Sequence, residues 1–479
     1  MLIREARVWP PDAHLAAEAV LAGLPRTDVR LAAGMITECG PGLRPESGEE
    51  VMEAAGGVLL PGLHDHHVHL RALAAAAASV SVGPPLTRTG AELAARLRAA
   101  DADLPAGAWL RAVGYHESVA GALDRHVLDR ILPQRPLRVQ HRTGALWVVN
   151  SLAAARLGLD GCELSGVERD EAGRPTGRLW RMDRWLADRV PQAAVDLGAD
   201  LGADLGAVSR KAGSLGITGF TDATPGAAGG DLAFLAQAPV AQRICCMAPP
   251  GVGPPLSSPP GTISVGPVKI MLDDTTLPAL AELADLISGA HAAGQPTAVH
   301  CVTRVQFVVT LAALDLAGRR PGDRIEHGAV IGADSLADLR GLTVVTQPHF
   351  VVERAEQYAA DVPPGDLPDL WRLRSLIDAG ADVAAGSDAP FGSEDLWQVM
   401  RAAVRRPALF AADEAVSPAR ALALFLGEPA APATQRLVAP GRPADLALLR
   451  AGPLEVLHSL GSDLVAATFI GGELAYARG

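Results

Sequence analysis

The chain has 479 residues, 49% hydrophobic and 20% charged, which is ample for a large buried core in one large domain with an accessory piece or in two to three smaller ones. Its 42 basic and 54 acidic residues leave a net charge of -12. That balance argues against nucleic acid or an anionic membrane as partner, since both select clustered Lys and Arg. No apolar run reaches the roughly 18 residues of a membrane helix. The start, MLIREARVWPPD, lacks the charged-then-apolar pattern of a secretory leader, and the five cysteines form no CxxC pair. A soluble cytoplasmic protein acting on a small molecule is the expectation.

Residues 2–8 alternate in polarity, 28–31 and 35–38 flank Ala32-Ala33-Gly34, and 58–60 run into Pro61-Gly62. At the far end, 444–449, 464–470 and 473–477 are again short and apolar, as strands are. The two ends therefore read as halves of one small β unit, 1–57 with 432–479, with everything else inserted between them. Within 58–431, strand-like runs at 58–63, 217–222, 242–247, 265–272, 296–301, 324–327, 342–347 and 382–386 alternate with helical stretches such as 280–293, 304–316 and 367–379. Strand–helix alternation implies parallel strands, and eight such units imply a closed (β/α)8 barrel of the TIM type, an α/β fold. About 150 residues separate the first strand from the second, too many for a plain connection. This insertion, 75–212, must hold structure of its own: 92–100 and 182–209 read as helical and 137–140 as a strand. The Asp-Leu-Gly-Ala repeat at 196–206 reads as a helix with regular spacing.

The first barrel strand runs into His64-Asp65-His66-His67-Val68-His69. Alternate residues of an extended segment share a face, so His67 and His69 point the same way. Two imidazoles so placed can ligate one divalent cation. A lone HxH also occurs in surface loops, and the remaining strands give it weight. The fourth carries Lys269, the fifth ends at His300, the sixth at His327, and the eighth leads to Asp388. Active sites of this fold form at the C-terminal ends of the strands. A lysine within Val268-Lys269-Ile270-Met271-Leu272 is costly unless paired or neutralised. It either bridges to Asp273 or Asp274, or has a depressed pKa that makes its amine nucleophilic towards carbon dioxide, giving a carbamate able to bridge two metals. Asp388 can bind metal and accept a proton from water. His349 reads either as an oxyanion-stabilising imidazole or as a packed one.

The segment PGLHDHHVHL resembles the PGxxDxHxH signature of the amidohydrolase superfamily. The blocks GITGFTDA (216–223), VKIMLDD (268–274), AVHCV (298–302), DRIEHGAVI (323–331), TQPHF (346–350) and AAGSDAPF (384–391) resemble its YtcJ-like branch, amidohydrolase family 3, which includes the N-substituted formamide deformylases. GRPADLALL at 441–449 resembles the closing β segment, and GRPTGRL at 173–179 and Asn150-Ser151 resemble the long insertion. The resemblance implies a (β/α)8 barrel with a composite β-sandwich from both termini. It implies metal ligands His67, His69, Lys269 as N6-carboxylysine, His300, His327 and Asp388, with one or two ions, zinc first and iron or manganese in relatives. It also implies a homodimer. Tyr115, His116, Glu117, His141, Arg142, Trp147 and Asn150 are candidates for the substrate side. The chain departs from the family at Asp273-Asp274, where Asp-Gly is usual. It departs again at Gly144-Ala145, where His often follows Gly, and at Trp180, where an acidic residue often stands. None of these is a metal ligand; all bear on the pocket.

The implied reaction is hydrolysis of an amide, formamide or cyclic amide-like C–N bond by metal-activated hydroxide, with Asp388 moving the proton. The alternatives are a mononuclear, deaminase-like hydrolase in which Lys269 is an ordinary strand lysine, and a non-hydrolytic lyase or isomerase on the same scaffold.

Overall fold

The computed structural model describes residues 1–190, 197–224, 229–253 and 261–478. Part of the 182–209 stretch and of the short repeat, residues 191–196, lies outside them. In chain order the first strands are β1 (Leu2–Val8), β2 (Arg26–Ala32), β3 (Met35–Gly40), β4 (Val51–Glu53), β5 (Val58–Pro61) and β6 (Leu63–Val68). Then come β7 (Val80–Ser81), β8 (Leu110–Tyr115), β9 (Leu137–His141), β10 (Leu146–Val149), β11 (Val167–Arg169) and β12 (Pro175–Trp180). The next are β13 (Ile217–Asp222), β14 (Arg243–Cys246), β15 (Ile263–Val265), β16 (Val268–Ile270), β17 (Thr297–Cys301), β18 (Arg324–His327), β19 (Thr343–Thr346) and β20 (Asp382–Ala385). The last are β21 (Leu446–Leu449), β22 (Val465–Ile470) and β23 (Glu473–Ala477).

The chain forms two compact units, one of Met1–Leu70 with Gly206–Gly479 and one of Arg71–Leu205. In the first, strands from both termini join one eight-stranded mixed sheet, β23-β22-β21-β5-β1-β2-β3, with β4 alongside β1. The join is β5 against β21, antiparallel from Val58↔Leu449 to Pro61↔Leu446. Ile3, Val29, Leu31, Ile36, Leu59, Leu446, Leu448 and Phe469 form the core of this sheet. The alternation of β1 is broken by a register shift between Ile3 and Ala6, where Glu5 takes φ 58° and donates its N–H to Asp28.

The same unit holds two parallel sheets, β6-β13-β14-β15 and β16-β17-β18-β19-β20. Two sequence expectations need correction here. The run 58–63 is not one strand. Residues 58–61 serve the terminal sheet, and the parallel strand begins at Leu63 and contains the histidines instead of ending before them. Gly62 lies at the break, where a Cβ would stand 2.1 Å from the Thr218 side chain. The run 265–272 likewise splits at Gly266-Pro267: β15 pairs with β14 and β16 with β17. Pro267 has no N–H to give a ladder, and a Cβ on Gly266 would meet Cys245 Sγ at 2.7 Å. At the other end of the two sheets the backbone bonds Asp388 N–H to His67 O (2.7 Å) and His69 N–H to Ala389 O (2.9 Å) join the segments beyond β20 and β6.

Helices follow the strands and bury one face each. Leu280–Ala292 buries Leu283, Ala284, Ile287 and Ala290. Arg304–Ala317, capped by Thr303, buries Phe307, Thr310, Leu311 and Leu314. The expected helix at 367–379 is two short pieces, Leu367–Asp369 and Arg374–Asp378. Trp371 interrupts it with φ 50° and gives its N–H to Ala329 O. Among the described residues no helix is long and apolar enough to cross a membrane.

The unit Arg71–Leu205 is built on a six-stranded sheet, β11-β12-β10-β9-β8-β7. Alternation along β8–β10 sends Leu110, Ala112, Leu137, Val139, Leu146 and Val148 into a core with Leu93, Leu97 and Leu128 of the helices Gly90–Ala102 and Arg125–Ile131. Trp147, Val149 and Leu179 enter a second cluster with Trp109 and Leu159.

Candidate metal centre

His67 and His69 come from the end of β6, and their rings meet edge-on at 5.3 Å. The other two histidines of the segment are sorted away by the alternation: His64 pairs with Thr221 Oγ1 at 2.9 Å and stacks on His66. Asp388 lies just beyond β20. Its Oδ1 is 3.5 Å from His67 Nε2 and 3.2 Å from His69 Nε2, and one ligand atom from each of the three lies within 4.8 Å of the others. The His327 ring is 4.7 Å from that of His67 and 4.6 Å from that of His300, so the end of β18 bridges β6 and β17. Asp388 and His327 both sit at left-handed backbone angles, φ 53° and 70°. Non-glycine residues held there carry strain that clusters at functional sites.

Lys269 on β16 has its Nζ buried without a hydrogen-bond partner. It does not bridge to Asp274, whose carboxylate accepts from Thr303 Oγ1 and Gln306 Nε2. Burial pushes the Lys269 amine below its ordinary pKa, opposed by the charges of Glu326 and Asp388. Burial also drives His67 well down, with repulsion from Lys269 second, so the imidazole is neutral with a lone pair to offer. Burial alone would raise Asp388; the His69 contact and the potential of His327, His67 and His69 outweigh it and leave the carboxyl well below the usual range.

Around these residues stands a supporting layer that sequence reasoning missed. Glu326 is fully buried, contacts His67 Nδ1, and is paired at 2.5 Å with Arg324, itself buried. Gln347 Oε1 lies 2.8 Å from His327 Nδ1. Asp65 accepts from Ser387 N–H (2.9 Å) and Ser387 Oγ (2.5 Å), tying β6 to the Asp388 loop. Burial lifts Asp65 to about 7, against those hydrogen bonds. The signal was in RIEH, where an Arg and a Glu stand in a strand that is buried throughout; buried charges demand partners.

His67 Nε2 and Asp388 Oδ1 are also buried without a hydrogen-bond partner, and the two face each other. Unsatisfied buried polar atoms are costly and need an explanation. A divalent cation accepts imidazole nitrogens and carboxylate oxygens together, so this donor set fits one.

The Amidohydrolase family model matches residues 50–476. The chain belongs to the amidohydrolase family. It is a hydrolase acting on carbon–nitrogen bonds. An N-substituted formamide deformylase of Arthrobacter pascens is similar at 26% identity over 551 positions, covering 100% of this amidohydrolase and 98% of the relative. Among solved structures, an uncharacterized metal-dependent hydrolase from Pyrococcus horikoshii OT3 superposes with TM-score 0.73 at 17% identity, covering 95% of this chain and 98% of the other. An adenosine deaminase from Xanthomonas campestris with bound zinc gives 0.56 at 14%, covering 99% and 92%. These structures show a TIM-type α/β fold.

The remaining expected site residues of the amidohydrolase fall in two groups. His349 belongs to the larger unit; it lies 3.1 Å from the Ser387 carbonyl through Nε2, which must therefore carry the proton. Burial lowers it to about 3, so it stays neutral and Nδ1 stays an acceptor. Its one N–H is given to the loop carrying Asp388, as in the packed reading of this residue. The others lie in the Arg71–Leu205 unit. Asn150 has no capacity left for a ligand. Its Oδ1 accepts from Leu137 and Ala153 N–H, and its Nδ2 donates to Leu132 and Arg135 carbonyls. Tyr115 is buried with its hydroxyl on Gly121 O, and Trp147 donates Nε1 to Asp183 at 2.7 Å between Arg111 and Arg138. Arg142 gives its backbone N–H to Tyr115 O. His116, Glu117 and His141 are brought together at one edge of the sheet.

Proposed function

We propose that this amidohydrolase cleaves an amide, formamide or cyclic amide-like C–N bond of a small molecule, using divalent metal held by His67, His69, His300, His327 and Asp388 at the mouth of a closed (β/α)8 barrel. The observation that carries the reading is the convergence of His67, His69 and Asp388, with His67 Nε2 and Asp388 Oδ1 buried and without a hydrogen-bond partner. Zinc is the first candidate for a His/Asp set. Such an ion lowers the pKa of water towards about 7 and polarises a carbonyl.

The chain's own groups do the rest. Glu326 accepts from His67 Nδ1–H, which turns the Nε2 lone pair into the site. Gln347 does the same for His327. Asp388, ionised at neutral pH, takes the proton of the attacking water and returns it to the leaving nitrogen. Ser387, Asp65 and His349 hold the Asp388 loop. Lys269, its amine deprotonated more readily by burial, would add carbon dioxide and release one N–H proton to solvent, and the resulting N6-carboxylysine would offer a second metal an anionic oxygen.

A second reading, one metal and an ordinary Lys269, is favoured by the fact that only His67, His69 and Asp388 of this site form a tight ligand group among the described residues. Metal equivalents per chain, with a mass search for one added carbon dioxide on the Lys269 peptide, separate the two. The hydrolytic reading is tested with Asp388→Asn on a panel of N-substituted formamides, amides and cyclic imides. A loss of about 10²–10⁴ in kcat is expected, and a variant that kept the full rate with metal bound would overturn the assignment.

A further inference from the structure

Alternation along β8–β10 gives the sheet of the Arg71–Leu205 unit two unlike faces. One sends Leu110, Ala112, Val139 and Val148 into an apolar core. The other carries Arg111, Arg138, Gln140 and Trp147, set side by side by the pairings Arg111↔Arg138 and Gln140↔Trp147. Both guanidinium carbons lie 5.3 Å from the centre of the Trp147 ring. Arg138 is 7% exposed and Trp147 4%, so two cations are held largely out of water against one indole.

Charge on this face does not balance. Among the described residues, the carboxylate whose charge opposes both arginines is that of Asp183. Its Oδ1 already accepts from Trp147 Nε1 at 2.7 Å and from Gln140 Nε2 at 3.4 Å. Arg111 donates to Ser79 Oγ at 2.9 Å, and Arg138 Nε is buried without an acceptor. Trp109, two residues before Arg111 and so on the same face, also has its Nε1 buried without one. These orphans are donors alike, so they cannot satisfy one another. The face of the Trp147 ring attracts both cations but supplies no lone pair for their N–H groups. Burial, with repulsion from Arg138 second, pushes Arg111 down to about 9, and burial pushes Arg138 down to about 10. Buried charges of one sign call for a counter-charge.

We infer that Arg111, Arg138 and the Trp147 ring form a binding site for the carboxylate of a small molecule, built from residues of the Arg71–Leu205 unit alone.

Two guanidiniums beside one aspartate leave a single positive charge, which a monoanion cancels and a phosphate dianion overshoots. The guanidinium fork matches a planar carboxylate in two-point pairs. Arg111 and Ser79 keep partial exposure, which gives the ligand its way in. An aromatic acid suits the site best, because its ring can also pack on the indole. The site stands on its own residues and does not rest on the hydrolytic reading.

The experiment is calorimetric titration of the chelator-stripped full chain with sodium benzoate at constant ionic strength. One saturable site is expected, and His67→Ala/His69→Ala is expected to keep it. In Arg111→Gln/Arg138→Gln the affinity falls at least about 10-fold, as the loss of charge-assisted hydrogen bonds requires. The absence of a saturable site, its loss in His67→Ala/His69→Ala, or equal affinity in the folded arginine variant overturns the inference. If circular dichroism shows that variant unfolded, Arg138→Lys replaces it, keeping the charge and losing the fork. A fall of at least about 10-fold is again expected, and an unchanged affinity overturns the inference equally.

Discussion

Glu326 sets the orientation of His67, and Arg324 is paired with Glu326 at 2.5 Å. A His–carboxylate pair of this kind raises the basicity of the ring and fixes its tautomer, and losing such a partner costs about 10–100-fold in metal affinity. Glu326→Gln is therefore expected to weaken zinc binding by that factor in a competition with a chromogenic chelator; an unchanged affinity would remove Glu326 from the site. Asn150 makes the opposite case. With all four of its hydrogen bonds spent on backbone, Asn150→Ala is expected to cost about 2–4 kcal/mol of stability, because each buried group left unpaired costs about 1–3. The rate per folded, metal-loaded molecule should not move; a normal melting curve with a raised KM would return Asn150 to the substrate side. In the sequence Asn150 closes the apolar run 146–149, and Glu326 stands between Ile325 and His327. What separates them is which distant atoms they reach, and for Glu326 the partner is 259 residues away.

At the scale of the element, the loop after β20 must approach β6 closely. A Cβ on Gly386 would stand 2.5 Å from His67 N and 2.6 Å from His67 Cβ, and neither can swing aside as a side-chain tip could. Gly386→Ala is thus expected to cost about 1–3 kcal/mol by overpacking and to reduce metal occupancy, measured as equivalents retained after dialysis. Full occupancy at wild-type stability would show that the strands can part without harm. A second element-scale device is Glu414, buried under the start of the helix Arg374–Asp378. Burial pushes its carboxyl up; the Ser375 hydroxyl and N–H, the Leu373 N–H and Arg372 together bring it below the ordinary value. A carboxyl depressed on folding stabilises the protein above its unfolded pKa and loses that contribution as pH falls through the folded one. Urea midpoints should therefore drop on acidification below the ordinary carboxyl range, and Glu414→Gln should flatten that drop while lowering stability at pH 7. A parallel acid profile in the variant would dismiss Glu414 as a contributor.

At the scale of the whole molecule, a cation that binds the folded chain and not the unfolded one adds stability by mass action, on the order of 4 kcal/mol at about 1,000-fold above its Kd. Chelator treatment should lower Tm and added zinc should restore it, and most of that shift should vanish in His67→Ala/His69→Ala. A melting temperature indifferent to chelation would count against a metal at the centre. The sequence by itself determined the chemistry-bearing residues and the alternation of strand and helix, because residue type and hydrophobic period are local properties. It also showed that two β-rich termini frame the chain. Only the tertiary structure decided that 58–63 and 265–272 each break in two, since the cause is a close approach at Gly62 to Thr218 and at Gly266 to Cys245. It alone decided that Glu326 supports His67, that Gln347 supports His327 and that Asp65 holds the Asp388 loop. Those pairings join strands far apart in the chain, and a contact across that separation leaves no period in the sequence to read.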